Sequence, residues 1–363
     1  MNIPPRNILV VNIRLIGDVI LTTPLIAILK AAWPDTQIDL LVNRGTGEFL
    51  GKDPRVRHVL SSDGSRSGGY LKKIFRRYDL AINMNASDRG NIAVLLASRH
   101  LRVGLYYGNR FWKDIWKKLL FSHPVSYPFP IHYARLCQVV AEKLGLAVTK
   151  LESKVFWDTA DENIVAELLA LKGVQGPYMV VHPFARWRYK YWQVERFAAV
   201  SDSVAERYGL QPVWTSSPVV EEQEALTMMS ELCRIRPVQI PGELNLNQIT
   251  CLLAHSSLYL GLDTAVSHLA ATTGIPVVAL YGPTITDWWS PWNNNGPIAQ
   301  QCPLPRGKQR TGSITVLQAE LPCVPCGRAG CDDNGGDAPC MQAIEVDEVL
   351  AAVDELLAEK GEA

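Results

Sequence analysis

A carboxylate follows the first apolar run of the chain, at a position where α/β proteins bind ligands. Residues 8–13 form a run typical of a buried strand, and the segment 14–19 follows it directly. In open α/β sheets, ligands bind beyond the carboxyl ends of the strands. Gly17 permits a tight turn, so the Asp18 carboxylate points over the sheet edge from the entrance of a helix. The alternative is that Asp18 only caps this helix.

A cationic segment follows a later apolar run, at residues 178–181. Arg186, Arg188 and Lys190 lie in a loop that leads into a predicted helix. Backbone N–H groups at a helix start act together with cationic side chains to bind phosphate or diphosphate groups. The alternative is a basic loop facing solvent over buried tryptophans, with His182 as a hydrogen-bonded core histidine.

A third segment combines a strand end, a helix start and a histidine. Residues 258–262 predict a strand, Asp263 or Thr264 caps the following helix, and His268 lies about one turn into it. The free N–H groups at this helix start offer an anion site toward which His268 can point. As a cap alone, Asp263 needs no further explanation, but the whole arrangement is rarely accidental. The loop 281–284 then follows the next predicted strand at the same sheet edge.

The glycines argue against a nicotinamide cofactor. Dinucleotide-binding loops carry three glycines in the spacing GxGxxG. The first loop contains only Gly17, and the pair Gly45 and Gly47 is followed by Leu50 in place of the third glycine. We therefore expect no dinucleotide, and no other cofactor is predicted.

Strand and helix patterns alternate over most of the chain, which predicts parallel sheets joined by right-handed crossovers. Strands are predicted at residues 8–13, 38–42, 80–82, 101–103, 178–181, 212–215, 258–262 and 276–281. Helices are predicted at 24–32, 132–144, 194–207, 220–232, 264–272 and 346–357. The expected fold is α/β, with two Rossmann-like domains whose parallel sheets face a central cleft.

The predicted domain limits follow from where the alternating pattern stops and restarts. An N-terminal domain is expected over 1–165, a link near 158–176, a C-terminal domain over 176–345 and a final helix over 346–363, packing back toward the N-terminal domain. Two segments resist assignment to strand or helix. The Gly/Ser stretch 61–69 is expected to be a mobile loop, and 293–343 is rich in Pro, Gly and Cys.

The composition is that of a soluble globular protein, with 363 residues, 47% of them apolar and 20% charged. No apolar run has the length that spans a bilayer, and the first residues lack the pattern of a signal peptide. A cytoplasmic location is therefore expected. The net charge of zero conceals an asymmetry, because residues 1–150 carry +12 and the remainder carries −12.

The positive charge is concentrated between residues 66 and 118. Lys72, Lys73, Arg76 and Arg77 form its densest part. Such a cluster predicts an anionic partner for the N-terminal half. The alternative is a solvated helix face, because apolar residues alternate with these charges at helical spacing.

Four of the eight cysteines lie close together in the sequence. Cys323, Cys326, Cys331 and Cys340 have the spacing C-x2-C-x4-C-x8-C. Four thiolates at such spacing can hold a structural zinc ion or an iron–sulfur cluster. From spacing alone, this loop is left open between a structural metal site and free thiols or disulfides that arise on oxidation.

Together these segments resemble the ADP-heptose:lipopolysaccharide heptosyltransferases of glycosyltransferase family 9, of the heptosyltransferase II or III type. The resemblance covers nearly the whole chain. It rests on four motifs in order: residues 14–19 with Pro24, His182-Pro183 with Lys190 and Trp192, Asp263-Thr264 with His268, and residues 281–284. The family is metal-independent and inverting and has the GT-B fold. Two departures concern the donor: Ala265 stands where many members have glycine, and residues 186–189 stand where Thr or Ser often precedes the lysine.

The resemblance implies a role for each matching residue. Asp18 would be the general base on the acceptor hydroxyl, and Lys190 would stabilise the leaving diphosphate. An acidic residue after the strand 212–215 contacts the ribose in the family; Glu221, Glu222 and Glu224 are candidates, of which Glu222 is assigned to the donor site. The other donor-binding residues would be Arg186, Asp263, Thr264, Ala265, His268, Gly282 and Pro283. Acceptor binding is assigned to Arg14, Lys72, Lys73, Arg76 and Arg77.

The implied partners are an ADP-heptose donor and the lipopolysaccharide core, an anionic lipid acceptor. The protein would act as a peripheral enzyme at the cytoplasmic face of the inner membrane, and no nucleic acid is expected because no binding motif accompanies the basic residues. Two alternatives stay open from the residues. One is a GT-B transferase that uses another nucleotide sugar, and the other is a non-catalytic cysteine–metal or membrane-surface scaffold.

Overall fold

A computed structural model of the chain describes residues 3–62, 69–108, 111–127 and 129–361. The chain divides into two compact units, Met1–Phe156 and Trp157–Ala363. Most of the Gly/Ser stretch that we expected to be a mobile loop, at 61–69, lies outside the described residues.

The first unit is built on a six-stranded parallel sheet in the order β3-β2-β1-β4-β5-β6. The order reverses between β1 and β4, which is the point where Rossmann-type sheets bind ligands. The strands are β1 (Asn7–Asn12), β2 (Gln37–Asn43), β3 (Val56–Ser62), β4 (Tyr78–Asn83), β5 (Ser98–Tyr106) and β6 (His123–Ser126).

Helices connect these strands and cover the sheet. They are α1 (Ile16–Ile20), α2 (Thr23–Ala32), α3 (Gly69–Ile74), α4 (Asp88–Ala97), α5 (Phe111–Leu120) and α6 (Arg135–Lys143), with a 3-10 helix at Glu48–Lys52. Local sequence explains several starts. Pro24 occupies the first turn of α2, and the Ser87 hydroxyl accepts a hydrogen bond from the Gly90 N–H to cap α4.

The second unit contains a seven-stranded sheet in the order β12-β13-β11-β10-β7-β8-β9, parallel except for the edge strand β12. Its strand order reverses between β7 and β10. The strands are β7 (Tyr178–His182), β8 (Gln211–Ser216), β9 (Val238–Pro241), β10 (Leu258–Leu262), β11 (Val277–Leu280), β12 (Gln309–Thr311) and β13 (Ile314–Leu317).

The helices of the second unit include two with reciprocal caps. They are α7 (Thr159–Leu171), α8 (Val194–Tyr208), α9 (Val220–Ser230), α10 (Leu246–Ala254), α11 (Ala265–Thr273), α12 (Thr286–Trp289), α13 (Pro339–Gln342) and α14 (Val346–Gly361), with a 3-10 helix at Arg188–Lys190. Capping boxes start α7, with Asp158 and Asp161, and α10, with Asn245 and Gln248. Gly209 and Gly274 end α8 and α11 in the left-handed conformation that favours glycine.

Each unit has its own apolar core. Strands β7 and β10 are buried along their whole length, which explains their continuous apolar sequences. The final helix α14 packs on α8 and β11 and adds Val349 and Val353 to the core of the second unit. That this helix also reaches toward the N-terminal domain stays a prediction.

The α/β class with two Rossmann-like sheets is confirmed. The prediction of a link at 158–176 is wrong, because helix α7 occupies most of this segment. Five strands were not predicted: β3, β6, β9, β12 and β13. Among the described residues, no helix is both long and apolar enough to cross a membrane.

Candidate active site

In the first unit, Asp18 lies on the short helix α1 immediately beyond the carboxyl end of β1. Its side chain is only 7% exposed and forms an ion pair with Arg14, whose Nε lies 2.7 Å from Asp18 Oδ1. The Arg14 side chain is 40% exposed, so the pair is open to solvent on one side. Burial raises the pKa of the Asp18 carboxyl, and the neighbouring guanidinium counteracts part of that rise. Such a carboxylate can accept a proton from a bound hydroxyl.

A buried hydrogen-bond network fixes the turn that carries Asp18. The Asn12 amide donates to the Asp18 carbonyl oxygen (3.0 Å) and to Thr22 Oγ1 (2.7 Å). The Thr22 hydroxyl also donates to the Asp18 carbonyl (2.9 Å), and Tyr133 OH lies 3.3 Å from the Asn12 amide nitrogen. Because these contacts hold the backbone, the direction of the Asp18 side chain is preset.

The structure does not bring the basic cluster to this position. Lys72 and Lys73 lie on α3, and Arg76 and Arg77 precede β4. All four residues are exposed. In a parallel sheet the residues before a strand lie at the amino edge, whereas Asp18 follows β1 at the carboxyl edge. The cluster and the Arg14–Asp18 pair therefore belong to opposite edges of the first sheet.

In the second unit, Lys190 and Asp263 meet at the point where the strand order reverses. Lys190 ends the 3-10 helix beyond β7, and Asp263 follows β10, the neighbouring strand. Lys190 Nζ lies 2.6 Å from Asp263 Oδ2, and the two side chains are 17% and 8% exposed. The Thr284 hydroxyl donates to the same carboxylate oxygen at 2.5 Å. An ammonium group has three donors, so Lys190 retains N–H groups for a bound anion.

The N-terminus of helix α11 adjoins this pair. Thr264 is the residue before the helix, and within the described part of the chain its side chain makes no capping hydrogen bond. The first N–H groups of α11, beginning at Ala265, are therefore available to an anion. His268 is buried, and its Nδ1 has no hydrogen-bond partner among the residues that the structure describes. Burial lowers the pKa of His268 to about 4, so the imidazole is neutral at physiological pH.

The loop 282–284 is held from behind by residues far along the chain. The Gln318 amide donates to the carbonyl oxygens of Gly282 (2.7 Å) and Thr284 (2.9 Å), and the Gly327 N–H donates to that of Pro283 (2.8 Å). A Cβ at Gly282 would lie 2.8 Å from Met341 Sδ, so a larger residue there requires the Met341 side chain or the loop to shift. The three carbonyl contacts fix the loop that presents Thr284 to Asp263.

The remaining donor-site candidates differ in their surroundings. Arg186 is exposed, with its guanidinium 5.0 Å from the centroid of the Trp187 ring. Glu222 is half-buried and accepts a hydrogen bond from the Ser217 N–H (2.9 Å) at the carboxyl end of β8. Glu221 and Glu224 are exposed on α9. Of the three acidic residues, Glu222 is the one bonded to the loop that follows the strand.

The four clustered cysteines are free thiols, three of them exposed and Cys340 buried. Burial, and then the proximity of the other three cysteines, raises the pKa of Cys340 to about 11. Over the ranges that the structure describes, no three His, Cys, Asp or Glu side chains are arranged to hold a metal ion. The loop that carries the cysteines also contacts the cationic segment, because Arg188 pairs with Asp337 at 2.8 Å.

Comparison with known proteins decides the family. The profile of glycosyltransferase family 9 (heptosyltransferase) matches residues 70–313, about two thirds of the chain. The chain belongs to this family. The glycosyltransferase is 29% identical to lipopolysaccharide heptosyltransferase 3 of Escherichia coli K12 over 296 residues. This match covers 77% of this chain and 83% of the relative. It is 24% identical to the lipopolysaccharide core heptosyltransferase OpsX of Haemophilus influenzae, over 80% of this chain and 83% of the relative.

Solved structures confirm the GT-B fold of the glycosyltransferase. A family 9 glycosyltransferase from Veillonella parvula superposes with a TM-score of 0.78 at 19% identity, covering 98% of this chain and 97% of the other. The E. coli ADP-heptose lps heptosyltransferase II gives a TM-score of 0.72 at 20% identity, with 98% and 100% coverage.

Sequence reasoning missed the residues that support the loop 282–284 of the glycosyltransferase. Gln318 directly follows strand β13, just as Asp263 directly follows β10. A prediction of β13 would therefore have indicated Gln318 as a residue at the same edge of the sheet. Met341 carries no such signal, because its contact with Gly282 depends on how the C-terminal segment folds back.

Proposed function

We propose that this glycosyltransferase transfers heptose from ADP-heptose to the lipopolysaccharide core with inversion at the anomeric carbon. The observation that carries the proposal is the Lys190–Asp263 pair beside the free N-terminus of α11, an arrangement suited to a sugar nucleotide diphosphate. The names of the relatives support the choice of donor and acceptor, since they are lipopolysaccharide heptosyltransferases and one is described with ADP-heptose.

Asp18 is assigned the role of general base. Its carboxylate takes the proton of the acceptor hydroxyl while that oxygen forms a bond to the anomeric carbon of the donor. The bond between that carbon and the β-phosphate oxygen breaks, and ADP leaves with the electron pair. Burial raises the pKa of the Asp18 carboxyl, which makes its carboxylate a stronger base than that of an exposed aspartate. The ion pair with Arg14 keeps Asp18 ionised.

The second unit is assigned the leaving group. Lys190 donates N–H groups to the diphosphate, and the N–H groups of α11 that follow Thr264, beginning at Ala265, add the positive end of the helix. Asp263 orients Lys190 through the 2.6 Å contact. The neutral imidazole of His268 offers a hydrogen bond to the donor without adding charge.

Other groups recognise the rest of the donor. Glu222 is assigned to the ribose hydroxyls, because a half-buried carboxylate at the end of β8 can accept two hydrogen bonds. Arg186 reaches the phosphates from the exposed side of the loop. Gly282 and Pro283 supply backbone that approaches the donor closely, braced by Gln318.

The acceptor and the membrane are assigned to the first unit. Arg14 lies beside the base and can pair with an anionic group of the acceptor core. Lys72, Lys73, Arg76 and Arg77 lie at the other edge of the sheet and suit contact with the anionic cytoplasmic face of the inner membrane. Reversing these four charges should release the protein from anionic vesicles while its ADP affinity stays unchanged; equal vesicle binding would reject this assignment.

The deciding experiment is a transfer assay with ADP-heptose and defined truncated core acceptors. Asp18→Asn should lose most turnover and still bind ADP-heptose, because the donor groups lie in the second unit. UDP- and GDP-sugars serve as competing donors in the same assay. Transfer from one of these and not from ADP-heptose would replace the proposed donor, and full turnover by Asp18→Asn would reject the proposed base.

A further inference from the structure

Three aromatic rings form a partly exposed surface in the first unit. Tyr127 and Phe129 stack with ring centroids 4.2 Å apart, and Tyr107 lies 6.0 Å from Tyr127 and 6.1 Å from Phe129. The planes of Tyr107 and Phe129 differ by only 14°. Tyr107 is 46% exposed and Phe129 is 48% exposed. We call these three residues the aromatic platform.

The platform lies at the same edge of the sheet as Asp18. Tyr107 follows β5 and Tyr127 follows β6, whose last residues pair with each other. The Tyr127 N–H donates to the Tyr106 carbonyl (2.8 Å), which ties the two strand ends together. Both strands run parallel to β1, so residues beyond their carboxyl ends lie on the side to which Asp18 belongs.

The residue directly after Tyr107 is a glycine with specific backbone requirements. Gly108 has φ near +80°, a conformation that favours glycine, and a Cβ there would lie 2.9 Å from Ser126 Oγ. The Gly108 N–H donates to the Asp114 carboxylate at 3.0 Å. The backbone at Gly108, directly after Tyr107, is therefore constrained.

The platform also interacts with the proposed base electrostatically. Burial raises the pKa of the Tyr127 phenol, the Arg14 charge lowers it, and the Asp18 charge raises it again. Burial lowers the pKa of Arg14, and the nearby Asp18, Tyr133, Tyr107 and Tyr127 raise it. The aromatic rings and the Arg14–Asp18 pair thus border one region of the first unit.

About half of the surface of Tyr107 and Phe129 is exposed, so these rings gain little of the free energy that full burial would provide. Core packing therefore does not explain why aromatic residues occupy these two positions. The nearly parallel rings of Tyr107 and Phe129 are the two most exposed of the platform, and the C–H face of a pyranose ring is a complementary apolar surface for an aromatic ring. The neighbouring Arg14 can pair with an acidic substituent of the same sugar.

We infer that the aromatic platform binds a sugar ring of the acceptor by stacking and so selects which hydroxyl reaches Asp18. The inference rests on the proposed function and deepens it, because it assigns the acceptor specificity to Tyr107, Tyr127 and Phe129. The stacked ring lies over the platform, its acidic group meets Arg14, and its nucleophilic hydroxyl is directed to Asp18.

The test replaces rings by leucine, which keeps apolar bulk and removes the π face. Tyr107→Leu and Phe129→Leu should each raise the KM for a delipidated core oligosaccharide about tenfold, with ADP-heptose affinity unchanged. Tyr127→Phe, which keeps the ring, should behave like the wild type. The matched control is Phe75→Leu, a 52% exposed aromatic of the same unit that precedes β4 at the opposite edge.

Direct binding separates this inference from the proposed function. Calorimetric titration of the oligosaccharide into Asp18→Asn protein measures acceptor binding without turnover, and adding Phe129→Leu should weaken it by the same factor. Unchanged oligosaccharide affinity would overturn the platform even where heptose transfer is found. A loss of binding to anionic vesicles, with oligosaccharide affinity intact, would also overturn it and indicate a lipid-contacting surface. Absence of any transfer from ADP-heptose by the wild type would reject the proposed function. The titration does not depend on turnover, so it would still show whether the aromatic platform binds the oligosaccharide.

Discussion

Lys190 Nζ lies 2.6 Å from Asp263 Oδ2, and both side chains are largely buried. The two residues are distant in sequence but follow neighbouring parallel strands, β7 and β10. A buried ion pair of this kind orients its lysine, because desolvation makes separation of the charges costly. Lys190 is thus positioned before any ligand binds.

Lys190→Ala should reduce turnover by about 10²-fold, because a preorganised donor to the leaving group is lost. ADP affinity should fall as well. Steady-state kinetics and titration with ADP measure both effects. Lys172→Ala is the matched control, since Lys172 forms a more exposed pair with Glu243 at 2.8 Å in the same unit. Equal kinetics for the two variants would contradict the assigned role.

Arg14→Gln should move the acid limb of the pH profile of kcat/KM to higher pH. Burial raises the pKa of Asp18 and Arg14 lowers it, so removing the guanidinium lets the pKa rise further. A base must be ionised to act, and activity should therefore fall more at acidic than at alkaline pH. The exposed Arg44 provides the control variant Arg44→Gln. An acid limb at its original position would show that Arg14 does not tune the base.

Gly282→Ala should weaken donor binding several-fold through a steric effect. The new Cβ would lie 2.8 Å from the sulfur of the fully buried Met341, whose packing resists movement, so we expect the loop that carries Thr284 to shift. Combining it with Met341→Ala should recover part of the ADP affinity, although that variant also loses core packing. Gly176→Ala is the control, since its Cβ would meet no atom within 4 Å. If the double variant binds ADP no better than Gly282→Ala, the steric explanation is wrong.

The free energy of unfolding should fall as the pH drops from about 6.5 to about 4. Burial lowers the pKa of both His182 and His268 to about 4, whereas an unfolded histidine titrates near 6.5. Between these values the unfolded chain binds protons that the folded chain does not, at a cost of up to about 1.4 kcal/mol per pH unit for each histidine. Urea unfolding of His182→Gln and His268→Gln at several pH values should give shallower slopes than the wild type. The exposed His100 supplies the control variant His100→Gln.

The strands that could be predicted are those buried on both faces. Strands β7 and β10 are continuous apolar runs, and the observed bounds agree with the prediction within one residue. Strand β3 alternates weakly and is mostly half-exposed, and β6 and β9 are four residues long and contain proline. Edge and short strands are held by backbone pairing with a neighbour, which leaves little pattern in their own side chains.

The candidate site was predictable where it depends on strand ends. Asp18, Lys190 and Asp263 follow strands, so the sequence predicts that Lys190 and Asp263 lie at the same edge of the second sheet, and the structure adds that their strands are adjacent. Contacts that depend on side-chain packing, such as Met341 against Gly282, have no counterpart in sequence spacing. Counting charges identified the basic cluster. It could not show whether the cluster lies at the amino or the carboxyl ends of the strands, because net charge carries no information about position in the sheet.

The reach of Gln318 across the second sheet has a consequence for minimal fragments. The Gln318 amide donates to two carbonyl oxygens of the loop 282–284. Gln318 follows β13, and this strand begins directly after residue 313, where the family match ends. A protein truncated at that residue would keep Lys190, Asp263 and Thr284 yet leave those carbonyls without their amide donor. The loop that presents Thr284 to Asp263 therefore depends on a residue beyond the family match, and a fragment that ends at residue 313 would lack this support.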